Sequence, residues 1–319
     1  FGVEIANNDV YTGVSFAATL IGISFLFFLI YLIFDVKYDK AAGEVAGEGE
    51  DKFKFKDLTD LLTNHSFIYI ALLCVAFYSA VFPFIQYAPD LLIKKFGFTS
   101  AMPDLSGMSF VERVKAFFSN GPKVTSLIPL GTILFTPIFG RIVDKKGKAA
   151  TLMITGSFLL IFAHLSLSVF NNVMLGYLGL IALGVAFSLV PAAMWPSVAK
   201  IVAENRLGTA YAAMFTIQNY GLAAFFWGIG KVLNMVNPKI VQLIADTRAR
   251  LIKEGMSLNE VPVRIEALKD AGEIPPYDYT IPILMLVALG IVSIFLAYQL
   301  KRADRRQGYG LEMPTGYEG

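Results

Sequence analysis

Charge, cysteine and histidine are scarce in this sequence. Only 16% of the residues are charged and 55% are hydrophobic, whereas about 25% charged residues are usual in a soluble domain. A soluble globule of 319 residues needs more polar surface to cover its core, so the composition argues against a water-soluble enzyme. The single cysteine, Cys74, excludes an internal disulfide scaffold. A dispersed net charge of +2 indicates no nucleic-acid partner.

Catalytic and cofactor motifs are absent as well. The two histidines, His65 and His164, are far apart and have no metal-ligand spacing. The sequence contains no HExxH run, no phosphate-binding glycine loop, and no credible Ser/His/Asp site. We therefore predict that the chain is not an enzyme and that it has no cofactor and no metal site.

Long apolar runs are abundant in this chain. We find seven runs of roughly 18 residues or more with almost no charge. They are Gly13–Phe34, Phe67–Ala88, Val124–Phe139, Ala149–Phe170, Val173–Val198, Thr209–Gly230 and Ile281–Leu300. They predict an all-α polytopic protein whose seven transmembrane helices lie in a lipid bilayer.

Basic residues in the connections predict the orientation of these spans. Arg141 and Lys148 follow the third run, Lys200 follows the fifth, and Lys301 follows the last. An excess of Lys and Arg marks cytoplasmic connections, so the chain is predicted to start outside and end inside. Because an outside start needs an earlier span, and residue one is Phe, we expect a piece of a longer protein.

Two connections carry helical patterns of their own. Lys52–Leu62 combines basic, aromatic and leucine residues, and it predicts either a short amphipathic helix on the membrane surface or a plain tether. The segment before it, Ala41–Asp51, has the composition of a flexible linker. On the outer side, Pro238–Leu268 has apolar residues at three- and four-residue steps, which predicts a small helical cap.

A nine-residue motif lies between the third and fourth runs, with the sequence GRIVDKKGK. Gly140 would let two helices approach closely, and Gly147 would permit a tight turn with positive φ. Asp144 could accept hydrogen bonds from the open N-terminus of a neighbouring helix. Lys145 and Lys148 would pair with that carboxylate and hold the segment inside. An ordinary positive-inside loop is the simpler reading of the same residues.

This motif resembles the signature cytoplasmic loop of the major facilitator superfamily. Val143 and Ala149 depart from the commoner pattern, which has a small residue and a second basic residue there. The resemblance implies roughly twelve helices in two pseudo-symmetric halves, with the loop after the second helix of each half. The first run would then be helix six, and the later runs helices seven to twelve, with the rest of the six-helix N-terminal half, its first five helices, missing from this chain.

The resemblance also implies a division of the chain. The predicted domains are the last helix of the N-terminal half (1–34), a cytoplasmic linker (35–65), a C-terminal six-helix bundle (66–300) with extracytoplasmic loops (90–123 and 231–279), and a cytoplasmic tail (301–319). Stretches at 82–100, 183–198 and 207–222 resemble the branch that includes lysosomal dipeptide transporters and bacterial relatives.

The function implied is secondary transport by alternating access, for small polar organic solutes with dipeptides as candidates. Runs two to seven carry no mid-membrane Asp, Glu, Lys or Arg, so a proton-coupled mechanism would need ionisable groups from the N-terminal half, and otherwise the protein is a uniporter. A bacterial inner membrane is our first expectation, and an organelle membrane the second. The alternative function is a seven-helix receptor, although the last span has neither a retinal-binding Lys nor an Asn-Pro-x-x-Tyr run.

Solute contacts are expected on helices seven, eight, ten and eleven, which line the cavity in this family. Tyr78, Phe82 and Gln86 lie four residues apart in the second run and so share one helix face. They are candidates for substrate binding because aromatic rings and amides can hold a polar solute.

The fifth and sixth runs supply further substrate-binding candidates. Trp195, between two prolines, could stack on a solute or close an inner gate, or it could anchor the helix at the membrane interface. Gln218 and Asn219 are adjacent amides that could bind a peptide backbone or a neighbouring helix. We expect at least one of these two amides to face the cavity.

Overall fold

The computed structural model describes residues 10–42 and 55–314. These ranges contain helices, short turns and one isolated bridge between Thr99 and Asn120, and no β-strand. The helices are α1 Val10–Ala42, α2 Phe55–Thr63, α3 His65–Phe96, α4 Phe110–Phe118, α5 Gly121–Thr125, α6 Leu127–Lys146, α7 Ala149–Ser168, α8 Val173–Ile201, α9 Leu207–Val236, α10 Pro238–Lys253, α11 Glu260–Asp270 and α12 Thr280–Gln307. The predicted all-α architecture is confirmed.

Six helical segments of the described ranges are long and apolar enough to cross a membrane: α1, α3, α5 with α6, α7, α8 and α12. The remaining predicted span, Thr209–Gly230, lies within α9, whose 30 residues extend about 45 Å at 1.5 Å per residue. Its adjacent amides, Gln218 and Asn219, lower its hydropathy, and it is not among the six. The count of seven therefore stays a prediction.

The helices extend further than the apolar runs predicted. We expected the second span to end at Pro89, but α3 continues to Phe96 and contains both Pro83 and Pro89. A proline removes one amide donor, and a membrane helix tolerates it where neighbouring helices pack around the gap. The glycine that ends α3, Gly97, has φ of +73° and accommodates the left-handed turn.

The motif GRIVDKKGK is mostly helical, and this corrects our expectation of a loop. Residues 140–146 form the last two turns of α6, and only Gly147 and Lys148 lie between α6 and α7. Arg, Lys and Val are all compatible with a helix, and Gly147 is the first residue in the motif that favours a break.

The six described helices of 20 residues or more that follow α2 pack as one bundle. α3 lies between α9 and α12, α12 packs on α7, α7 on α8, and α8 on both α6 and α3. Small residues set the close approaches: a Cβ on Gly156 would come within 2.3 Å of Val190, and one on Gly221 within 2.4 Å of Val75. Membrane helices use such positions because their association depends on close packing rather than on a hydrophobic difference from lipid.

The predicted amphipathic segment is helical from Phe55, and the predicted cap consists of two helices, α10 and α11, joined by a turn. In α2, Asp57 and Asp60 accept bonds from Arg206, at 3.1 and 3.0 Å, which fastens the helix to the start of α9. Residues 52–54 of that prediction and the linker from 43 to 51 lie outside the described residues. Helices α10 and α11 share a small core of their own, separate from the main bundle.

Helix α1 differs from the bundle helices in its exposure. Every side chain from Val14 to Phe34 is exposed although the segment is strongly apolar. Such a surface requires lipid or other apolar helices as its environment.

Candidate functional site

Six aromatic side chains from α3, α8 and α9 form a continuous cluster, which we call the aromatic wall. Its members are Tyr78, Phe82, Phe187, Trp195, Tyr211 and Phe215. Tyr78 stacks on Phe82 with ring centroids 5.6 Å apart. Trp195 stacks on Phe215 at 4.7 Å and lies 6.4 Å from Tyr78. Phe82 and Phe215 are 37% and 50% exposed, so the wall presents ring faces outward from the bundle.

Hydrogen bonds fix the rings of the wall. The Trp195 Nε1–H donates to the Tyr78 hydroxyl at 3.0 Å, and the Tyr211 hydroxyl donates to the Trp195 carbonyl at 3.1 Å. Because the indole donor is satisfied inside the bundle, this geometry favours a packing and stacking role for Trp195 over an anchor at the membrane interface.

The two adjacent amides of α9 point to different environments. Gln218 is 7% exposed and accepts a bond from the Cys74 thiol at 3.2 Å, so it lies in the interface between α9 and α3. Asn219 is exposed, and its Nδ2 donates to the Phe215 carbonyl of its own helix at 2.8 Å. Of the two amides, Asn219 is therefore the one on the exposed face that carries Phe215.

The same arrangement of residue types occurs on α3 and α9. On α3, Tyr78, Phe82 and the exposed Gln86 follow one another at four-residue steps. On α9, Tyr211, Phe215 and Asn219 do the same. Residues at this spacing share a helix face, so each helix presents two rings and one amide.

Three members of the wall, Phe187, Tyr211 and Phe215, were missing from our sequence-based candidates. The signal that could have found Tyr211 and Phe215 is this repeated spacing of two aromatics and an amide. Phe187 lies eight residues before Trp195, again on one face of a helix. Its edge-on contacts with Tyr78 and Phe82, at 6.1 and 5.7 Å, become visible only once the helices are packed.

His164, the one histidine within a predicted span, does not join the wall. It is fully buried in α7, and its ring packs edge to face on Phe84 of α3 at 5.3 Å. This places it in the interface between α7 and α3.

The signature motif occupies the end of the bundle that carries Lys148 and Lys200, which we call the basic end. Gly147 has φ of +66°, which confirms the predicted turn. Asp144, Lys145 and Lys148 have exposed side chains. At Gly140 no described residue lies within 4 Å of an added Cβ, so the close helix approach that we predicted there is not seen among the described helices.

The opposite end of the bundle is closed by polar contacts. The Tyr279 hydroxyl donates to Asp90 of α3, and Lys95 donates to the Leu167 and Ser168 carbonyls that end α7. Burial, followed by the bond to Asp90, raises the pKa of Tyr279, so the phenol stays protonated. A cavity of about 410 Å³ lies between these contacts.

This bundle of long apolar helices, with a basic glycine turn at one end, defines a polytopic all-α membrane protein. The chain belongs to the Major Facilitator Superfamily, because the model of that family matches residues 10–226. This match confirms the resemblance inferred from the signature motif, and it agrees with a transporter rather than an enzyme.

Several vertebrate proteins are similar to the chain. The lysosomal dipeptide transporter MFSD1 of Gallus gallus is 30% identical over 207 residues, which cover 65% of this chain and 42% of that protein. The Danio rerio protein of the same name is 29% identical and the match covers 40% of its length, and for the Homo sapiens protein the values are 29% and 39%. The chain thus spans about two fifths of the length of these curated relatives.

Proposed function

We propose that this chain forms one wall of the solute pathway in a secondary transporter that works by alternating access. The observation that carries the proposal is the aromatic wall, with Gln86 and Asn219 beside it, on the exposed side of a bundle from this superfamily. Rings and amides together can bind a small polar organic molecule and release it again, because each contact is worth only about 1 kcal/mol.

A second helical bundle supplies the opposite wall in this proposal. The similar proteins are more than twice as long as the matched region, and the family is built from two related halves. The exposed faces of α6 and α9, and the exposed stretch of α1 from Val14 to Phe34, offer apolar surface that a second bundle would cover.

Dipeptides are the solutes that we propose. The support is the similarity to lysosomal dipeptide transporters together with the wall, where the aromatic rings could pack on a side chain and the amides could bind a peptide bond. The experiment measures uptake and counterflow of a panel of dipeptides in liposomes that contain the protein expressed from the complete coding sequence. Protein-free liposomes are the control. Accumulation of no dipeptide above that control would overturn the substrate proposal.

We propose that transport is uniport, without a coupling ion, unless the part of the protein outside this chain provides ionisable groups. The apolar runs that follow Phe67 contain no mid-membrane Asp, Glu, Lys or Arg, and such groups usually mark proton pathways. A dipeptide gradient should then drive counterflow at the same rate with and without a pH gradient. Stimulation by an inward proton gradient would show coupling instead.

Similarity to lysosomal proteins supports an organelle membrane and gives no support to the bacterial inner membrane that we placed first. The receptor alternative is not favoured, because the family match extends over five of the seven predicted apolar runs and the first two thirds of α9. Fluorescent tagging of the complete protein, followed by co-localisation with organelle markers, tests the proposed location.

A further inference from the structure

The residues after α12 fold back onto the basic end of the bundle, and we call Gly308–Pro314 the C-terminal clasp. Gly308 and Gly310 both have φ of +73°, which turns the chain back. Leu311 is fully buried, and its amide donates to the Asp304 carboxylate at 3.1 Å. The clasp is therefore anchored to the bundle at its centre, by Leu311.

The clasp satisfies the open N-terminus of α7. Lys148 precedes that helix, and a lysine side chain cannot accept a bond from a helix amide. Instead, the Lys148 and Ala149 amides donate to the carbonyls of Glu312 and Leu311, at 3.1 and 3.0 Å. A helix start needs acceptors for its free amides, and here two carbonyls from the C-terminal region of the chain supply them.

The Glu312 carboxylate adds a side-chain cap in the same place. One oxygen accepts the Thr151 amide at 3.0 Å, and the other accepts the Thr151 hydroxyl at 2.6 Å and lies 3.0 Å from Lys301 Nζ. Burial alone would raise the pKa of Glu312, but the bonds from Thr151 and Lys301 outweigh it and lower the pKa. The carboxylate is therefore ionised at neutral pH and complements the helix dipole.

The clasp also contacts the signature turn and α8. A Cβ on Gly147 would come within 2.4 Å of the Met313 backbone, so a side chain there would displace the clasp. Lys200, near the end of α8, donates to the Gly310 and Met313 carbonyls at 3.0 and 2.9 Å. One short segment thus joins the end of α6, the start of α7, and the ends of α8 and α12.

We infer that the clasp is part of the transport switch and that Glu312 is its positioning residue, holding the signature turn and the start of α7 in one rigid body with α8 and α12. Alternating access in this fold is largely a rocking of one bundle against the other. A start of α7 that frays would absorb the movement of α6 instead of passing it on. The inference rests on the proposed transport function for its consequence, and on the contacts of the clasp for its structure.

The first test is hydrogen–deuterium exchange of the complete protein in nanodiscs, read on peptides that cover residues 147–156. Glu312→Ala should speed exchange at the start of α7 by about fivefold or more, since each lost bond is worth about 1 kcal/mol. Glu312→Gln keeps an acceptor for the Thr151 amide and should change exchange less. Glu204→Ala, an exposed acidic residue after α8, is the matched control and should leave exchange unchanged.

The second test is transport by the same variants in liposomes. Glu312→Ala should lower the maximal rate several-fold and leave KM unchanged, because the variant alters the switch and not the solute contacts. If Glu312→Ala does not fold, Lys200→Met tests the clasp from α8 with Glu312 intact, and the same exchange and rate changes are expected.

The outcomes of the two tests separate the inference from the proposed function. Unchanged hydrogen exchange at the start of α7 in both Glu312→Ala and Lys200→Met would show that the clasp does not hold that helix. Faster exchange with an unchanged maximal transport rate would overturn the part of the clasp in the switch. If the unmodified protein moves no dipeptide, the substrate proposal fails, whereas the exchange measurement still decides whether the clasp holds α7.

Discussion

At the scale of single residues, the aromatic wall combines an apolar surface with one hydrogen bond between side chains, which joins Trp195 to Tyr78. Trp195 and Tyr78 are the two members that join α8 to α3 through polar atoms, and Tyr78 is only 8% exposed. A buried hydroxyl and indole that satisfy each other keep both rings in one orientation. The wall is thereby a rigid surface rather than a set of independent rings.

Removing either partner of this bond should destabilise the bundle, and the loss of the bond is the part of the cost that the two changes share. We expect Tyr78→Phe and Trp195→Phe to show a coupling energy of about 0.5–1.5 kcal/mol in a double-mutant cycle, because each single change already breaks the bond. The measurement is the free energy of unfolding of the complete protein in mixed micelles. If the changes in the free energy of unfolding are strictly additive in the double variant, the two side chains are not coupled by a hydrogen bond.

At the scale of one element, α9 places one of its two adjacent amides in a helix interface and the other on its exposed face. Gln218 is held by Cys74 in a close helix interface, where Gly221 packs against Val75. Asn219 lies one residue later on the exposed face. Since neighbouring residues of a helix are about 100° apart around its axis, adjacent residues of the same type can have different roles.

Substitution of the two amides should separate these roles. Gln218→Ala should lower the free energy of unfolding by about 0.6 kcal/mol, the average for a polar contact between membrane helices, and leave the KM for dipeptides unchanged. Asn219→Ala should raise KM about fivefold through the loss of one hydrogen bond, with little change in stability. Dipeptide uptake and unfolding measured on both variants test this, and a raised KM in Gln218→Ala alone would contradict it.

At the scale of the whole molecule, the side of the membrane on which the helical cap lies depends on whether α9 crosses the bilayer. Its first turn follows Arg206, which is bound to α2 at the basic end, and Asn237 after its last turn bonds to Asp278 at the opposite end. The helix therefore extends from one end of the bundle to the other, even though its composition is less apolar than that of the six segments.

Labelling of introduced cysteines should show this topology. In a background without other cysteines, we expect Glu254→Cys in the cap to react with an impermeant maleimide from the outer side, and Lys146→Cys to react only after permeabilisation. Both positions are exposed, so access to the reagent depends on the membrane alone. Labelling of both from the same side would show that α9 does not cross.

Local patterns in the sequence predicted most of the architecture. Apolar runs predicted the helices that cross the membrane, and a single motif predicted the superfamily. The ends of the helices were predicted less well, because proline and charged residues at the ends of α3 and α6 are compatible with helix when neighbours pack against them. The motif therefore proved to be helix up to Lys146, with the turn confined to Gly147 and Lys148.

The sequence by itself determined that this protein is a helical membrane protein of the Major Facilitator Superfamily. Hydropathy and short motifs are properties of residues that are adjacent in the sequence, so they need no knowledge of the packing. Only the tertiary structure decided which rings form the wall, which of two adjacent amides is buried, and what caps α7. The bond between Trp195 and Tyr78 joins residues 117 positions apart, and that between Thr151 and Glu312 joins residues 161 apart. Such contacts depend on how whole helices pack, which no local pattern specifies.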